Sequence, residues 1–402
     1  MFINLNPIIK NRDYRYLFLG QTISFFGSMM TYVAIPYQIY LLTKNSFLVG
    51  LLGVFQLVPL VISGLYGGAL ADTMDRRKML LTSEFLLVLS TVILTANCFL
   101  EKPSVVLLFI VAALSSVFIG FHRPAMEAMT PQIVSPEDYP AVAALGSMRY
   151  AIAAVSAPAL GGWLISQYGI QWTYGIDAIT YIVSLFCLMT IRKVAIPQNT
   201  EKAGWDSIRK GFTYACSQPV ILGTYIVDIV AMIFAMPMAL YPALSEGWGG
   251  AKAAGWLYAA IPMGAFVSSL FSGLASEVKR QGAGVILSAL VWGIFIILLA
   301  FADNLFLAVT FLALAGVADS LSGIYRQTIW NNSIPDNYRG RLAGLNMLSY
   351  MIGPLLGNAR AGFMASISSN YFSILSGGIL CVIGCSVLIK LLPDFWSYKS
   401  QN

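Results

Sequence analysis

Residues 48–78 read LVGLLGVFQLVPLVISGLYGGALADTMDRRK. The first 23 of these positions, 48–70, carry no charged side chain, and Asp72, Asp75, Arg76, Arg77 and Lys78 then fall within seven residues. A helix of about 20 mostly apolar residues crosses a hydrocarbon core roughly 30 Å thick. An uncharged run of that length that ends in a dense charged turn is a membrane span meeting water.

The pattern recurs along the chain. Spans are predicted near 16–42, 48–70, 79–99, 104–128, 141–166, 172–191, 220–244, 253–274, 283–301, 305–330, 342–367 and 372–392. The chain is 58% hydrophobic and only 10% charged, whereas a soluble domain carries about 25% charged residues. A soluble protein of 402 residues needs charge on its surface; here most of the surface is predicted to face lipid. The expected fold class is an all-α membrane protein of twelve helices in two six-helix bundles.

The basic residues set an orientation. With the N-terminus placed in the cytoplasm, seventeen of the 24 Lys and Arg fall in inner segments, Lys44, Lys102 and Lys252 in outer loops, and Arg123, Arg149, Arg326 and Arg360 within spans. Cytoplasmic loops retain Lys and Arg, so both termini are expected inside. The net charge of +6 then reports topology rather than nucleic-acid binding. The first apolar run is too long for a signal-peptide core and lacks a small-residue cleavage site. Cys98, Cys187, Cys216, Cys381 and Cys385 read as small apolar filler. With one histidine, His122, no metal site is expected, and no cofactor. His122 itself reads as a packing or interfacial residue in preference to a proton relay.

The chain repeats itself. Pro136-Glu137-Asp138-Tyr139 after span 4 returns as Pro335-Asp336-Asn337-Tyr338 after span 10, 199 residues on. Pro158 with Gly161 and Gly162 in span 5 returns as Pro354 and Gly357 in span 11, 196 residues on. Near-equal offsets predict two matched halves, 1–191 and 220–402, joined by a cytoplasmic linker over 192–219 in which Trp205–Tyr214 reads as an amphipathic helix.

Ionisable groups inside spans are costly and face a cavity or a partner. The acids Asp177, Asp228 and Asp319 are candidate proton carriers, Asp228 and Asp319 foremost; the alternative for each is a structural ion pair, such as Asp319 with Arg149. Arg149, Arg326 and Arg360, with Tyr241 and Tyr258, are candidate cavity residues, because guanidinium groups suit carboxylates and catecholates and stack on aromatic rings. Arg123 and Glu127, spaced i,i+4, read as a gate element near the inner surface. Gly68, Asp72, Arg76 and Arg77 form a candidate gating turn, in which the arginines can bridge to acids such as Glu127. No Gly-Lys dipeptide occurs, so there is no P-loop, and transport must draw on a gradient. A single His at a helix end leaves an enzyme reading without support.

Residues 68–78 resemble the loop 2–3 motif of the major facilitator superfamily, with Asp75 where many members have Gly. Pro158 through Gly162 resembles the antiporter motif of the drug–proton antiporter branch. Residues 240–244 and 255–264, with Arg149, Gly340-Arg341, Gly344-Leu345, Arg15 and Ser24, resemble the enterobactin (siderophore) exporter family from about residue 10 to 390. His122-Arg123 and Asp228 depart from it. The resemblance implies proton-coupled siderophore export across a bacterial inner membrane by alternating access, performed by a monomer whose partners are a small molecule, protons and lipid. The alternative is a broad drug–proton antiporter; a non-transporting sensor and an importer are the remaining readings.

Overall fold

A computed structural model describes residues 4–71, 74–192, 213–271, 273 and 278–399, with backbone alone at 69, 71 and 336–350. Asp72, residues 193–212 of the expected linker, and most of Trp205–Tyr214 lie outside the described residues.

All regular structure among the described residues is helical. It comprises α1 (Asn6–Lys10), α2 (Arg12–Thr43), α3 (Ser46–Ala71), α4 (Arg76–Asn97), α5 (Val105–Ile133), α6 (Tyr139–Tyr168), α7 (Ile170–Thr190), α8 (Pro219–Ala235), α9 (Tyr241–Ser245), α10 (Ala251–Leu270), α11 (Gln281–Ala300), α12 (Leu305–Ser333), α13 (Asp336–Ile367), α14 (Asn370–Leu391) and α15 (Pro393–Trp396), with short 3₁₀ turns. Among the described residues, eleven helical segments are long and apolar enough to cross a membrane. The remaining expected span, 342–367, falls within the 32-residue α13.

The helix ends obey local chemistry. Asp75, Ser104, Asn304 and Ser369 each accept a hydrogen bond at the start of α4, α5, α12 and α14 from a backbone N–H that has no helical partner. The expected seventh span is not one helix. α8 stops at Ala235, Met236 is extended, and a 3₁₀ turn at Met238–Leu240 leads into α9. Pro237 lacks an N–H and disfavours helical geometry in the residue before it, so the helix ends one residue ahead of Met236.

The chain divides into two compact units, Met1–Leu42 with Phe55–Ala203, and Thr43–Val54 with Gly204–Asn402. In the first, α4 packs against α5 and α7, and Leu17, Leu80, Met129 and Leu188 close an apolar cluster from four helices. In the second, α12 packs on α10 and α11, and α8 on α13. Phe395 of α15 is fully buried there, seated against Gly223 and Gly282.

The sequence repeat has a packing meaning in each unit. Gly161 of α6 lies against Met30 of α2, where an added Cβ would stand 3.2 Å from the Met30 Cα. Gly357 of α13 lies against Met232 of α8, where an added Cβ would overlap the Met232 carbonyl oxygen and stand 2.7 Å from the Met236 Cβ. Small residues at a crossing let helix backbones approach closely. The second crossing is the tighter, because there the added atom would overlap a backbone oxygen, whereas at Gly161 the nearest atoms stand just inside ordinary contact. Gly357→Ala is therefore expected to lower thermal stability of the purified protein clearly more than Gly161→Ala, as measured by melting of the two variants side by side.

Candidate functional site

The first unit encloses a cavity of about 410 Å³. Five of its helices contribute: Gln21, Ser24, Phe25 and Ser28 from α2, Leu87 from α4, His122, Arg123 and Glu127 from α5, Arg149 and Tyr150 from α6, and Tyr181 from α7. Arg149 lies over the Phe25 ring at 5.9 Å, and Phe25 in turn meets Tyr150 at 5.7 Å. The Arg149 Nε is buried, and no ion pair reaches this guanidinium among the described residues. Tyr150 is 59% exposed. A guanidinium held on an aromatic face with donors to spare presents charge and a stacking plane together. Arg123 and Glu127 both line the cavity, yet among the described residues no salt bridge joins them.

Behind the cavity wall lies a buried acid of α4. Glu84 of α4 is 0% exposed. Its Oε1 accepts from Gln21 Nε2 at 2.5 Å and Ser184 Oγ at 2.9 Å, and lies 3.3 Å from His122 Nε2. Its Oε2 is buried with no hydrogen-bond partner among the described residues. The signal was available: Glu84 lies eight residues past Arg76, roughly 12 Å along a helix rising 1.5 Å per residue, well inside the span. Its meeting with His122 was not available, because nothing in the sequence fixes which faces of α4 and α5 oppose.

Asp177 of α7 is 1% exposed and hydrogen-bonded to hydroxyls, from Thr31 at 2.6 Å and Thr180 at 3.3 Å. Among the described residues it has no cationic partner within 4 Å.

The second unit gathers three of the expected residues. Arg326 of α12 stands between two carboxylates: Nη1 is 2.5 Å from Asp228 Oδ1 of α8, and Nη2 is 3.8 Å from Asp319 Oδ1, seven residues back on α12. The Asp228 side chain is 4% exposed and that of Asp319 35%. One cation facing two acids leaves an excess of one negative charge, which a single proton cancels. Arg360 is elsewhere. It donates from Nη1 to the carbonyls of Phe234 at 2.8 Å and Ser373 at 3.2 Å, and from Nη2 to Ser376 Oγ at 2.9 Å. It thus ties α13 to α8 and α14. Tyr241 and Tyr258 form an edge-to-face pair with ring centroids 5.0 Å apart, and Tyr258 donates to the Met238 carbonyl across the break after α8.

The arginines after α3 hold carbonyls of two neighbouring helices. Arg76 donates to the Ala128 carbonyl of α5 at 3.0 Å, and Arg77 to those of Leu188 and Met189, in the last turn of α7, at 3.3 and 2.7 Å. Cations suit the negative end of a helix dipole. Gly68 has open space where a Cβ would stand. Pro158 and Gly162 are buried within α6.

The sequence matches the family profile described as Major Facilitator Superfamily over residues 17–357 and again over 229–395. It is 27% identical over 392 residues to the enterobactin exporter EntS of Shigella boydii serotype 4 (strain Sb227), covering 97% of this chain and 94% of that one. The enterobactin exporter EntS of Salmonella typhi is 27% identical over 391 residues, with the same coverage. The crystal structure of peptide transporter POT in complex with sulfate superimposes with a TM-score of 0.76 at 13% identity, over 97% of this chain and 96% of that one. A family profile spanning most of the chain, on a fold of two helical units with spans of membrane length, settles the family: this chain belongs to the major facilitator superfamily.

Proposed function

We propose that this protein exports an anionic aromatic siderophore, of the enterobactin type, across a bacterial inner membrane by proton-coupled alternating access. The observation that carries the reading is the cavity of the first unit, where Arg149, free of ion pairs among the described residues, stacks on Phe25 beside the exposed Tyr150. Catecholate rings bring both the negative oxygens and the flat faces such a group recognises. Relatives that match 97% of the chain and are named as enterobactin exporters support the same substrate class. Both termini lie in the cytoplasm in this reading, and one chain with halves 1–191 and 220–402 linked by 192–219 suffices for transport. The substrate is carried and left chemically unchanged.

Coupling rests on the charge arithmetic at Arg326. Protonation of Asp319, the more open of its two acids, neutralises the group and lets it pass between states without a bare charge in the bilayer. Asp177, hydroxyl-bonded and with no cation within 4 Å among the described residues, is a second acid of this kind.

A broad drug–proton antiporter is the second reading, favoured by Met29 and Met126 in the cavity wall, since flexible thioethers adapt to varied ligands. Deleting the gene in a producing strain separates the two. Siderophore export predicts loss of secretion with intracellular accumulation. Unchanged secretion together with raised drug susceptibility favours the antiporter. In purified protein, Arg149→Ala is expected to weaken enterobactin binding by at least about tenfold, the scale of a lost charged hydrogen bond. Arg149→Lys should recover only part of it, because an ammonium lacks the planar fork. Equal affinity in all three proteins removes Arg149 from the site.

A further inference from the structure

His122 lines the cavity of the first unit, and Glu84 lies behind it, but neither has a role in the binding or coupling described above. A carboxylate sealed from water needs a counter-charge or a proton. Its immediate neighbours are two neutral donors, Gln21 and Ser184, and the one imidazole of the chain. No Lys or Arg reaches it within 4 Å among the described residues. From α7, Tyr181 and Cys187 face it, with Asp177 further along the same helix. From α5, Arg123 and Glu127 flank His122 on the cavity wall, and from α6 Arg149 completes that wall. From α2, Gln21 touches it, and Arg77, two turns back on α4, is held on carbonyls of α7. None of these cations touches the carboxylate.

We infer that Glu84 and His122 form a proton-binding dyad in the first unit, with the imidazole at the cavity surface and the carboxylate sealed behind it. The neutrality of this buried site depends on one proton shared by the two. It sits on His122, giving an imidazolium beside a carboxylate, or on Glu84, giving two neutral groups. Water in the cavity delivers it to His122, whose ring lines that space, and receives it back when it leaves. The unpartnered Oε2 of Glu84 is the second oxygen on which that proton can reside. Gln21, which touches both members at 2.5 and 3.4 Å, holds them in register. The dyad shares the cavity with Arg149, so its proton occupancy acts on any anion bound there through space. It is distinct from Asp228 and Asp319, which belong to the other unit.

The inference rests on the proton-coupled reading above, and its test separates the two. Reconstituted protein is assayed with labelled enterobactin for uphill flux driven by a pH gradient and for exchange without a gradient. The ratio of the two is expected to fall at least tenfold in Glu84→Gln and in His122→Asn. A ratio within threefold of wild type in either variant overturns the dyad. If Glu84→Gln does not fold, His122→Gln decides in its place. A second arm needs no ligand: melting of the purified protein between about pH 5.5 and 8, the range in which imidazoles change charge. Glu84→Gln is expected to alter the pH profile of Tm by at least about 1 °C, the scale on which a single lost charge interaction moves the melting of a chain of this length. Superimposable profiles overturn the dyad. Should wild type move no enterobactin at all, the substrate reading fails, and the melting arm alone decides the dyad.

Discussion

Arg326→Gln is expected to leave little folded protein. The substitution strips the cation from Asp228, whose side chain is 4% exposed and whose Oδ1 stands 2.5 Å from Arg326 Nη1. Removing one member of a buried pair costs about 3–5 kcal/mol, because the other charge stays behind uncompensated. Replacing both members by neutral groups of similar shape carries no such penalty. Asp228→Asn added to Arg326→Gln should therefore restore most of the lost melting temperature while leaving proton-driven flux abolished. Asp319→Asn, at a half-exposed site 3.8 Å from the guanidinium, should change stability by less than about 1 kcal/mol and act on coupling alone. Melting of the three variants, followed by reconstituted flux, checks the set. A single Arg326→Gln variant as stable as wild type would show that the ion pair holds nothing.

Bulky replacement at the crossing of α10 and α12 should be as severe. A Cβ on Gly264 would overlap the Ala313 carbonyl, and one on Gly316 would overlap the Ile261 carbonyl. Both obstacles are backbone, so no side chain can swing aside; the helices must separate along their length, and the contacts of neighbouring residues go with them. Gly264→Leu and Gly316→Leu are each expected to abolish detergent-stable protein, since overpacking of even a few atoms costs about 1–3 kcal/mol and a whole side chain more. Gly175→Ala, on α7 with nothing within 4 Å of the added atom, is the control. It should be neutral or stabilise slightly, as Ala exceeds Gly in helix propensity by up to about 1 kcal/mol. Monodisperse yield by size exclusion distinguishes these outcomes. Survival of either leucine variant would mean that the crossing is looser than its geometry.

The membrane fold was legible from residues 48–78 outward because spanning is a one-dimensional demand: lipid asks for a run of apolar residues of fixed length and permits charge at the ends. Prolines and glycines at matched offsets carried the repeat for the same reason, and Gly161 and Gly357 do meet Met30 and Met232 in their respective units. The break after α8 was missed. Hydropathy averages across Pro237, whereas the backbone cannot.

What the sequence by itself determined is which residues lie within the bilayer, how many times the chain crosses it, and that several of the buried residues are charged. Only the tertiary structure decided who meets whom: Arg326 with Asp228, Arg360 with backbone carbonyls, Arg149 with Phe25, and Glu84 with the one imidazole of the chain. Depth in a span follows from counting along one helix. A partner on another helix depends on rotation and register, which side-chain packing sets between segments far apart in sequence, and a charge reaches only the few ångströms that this packing allows.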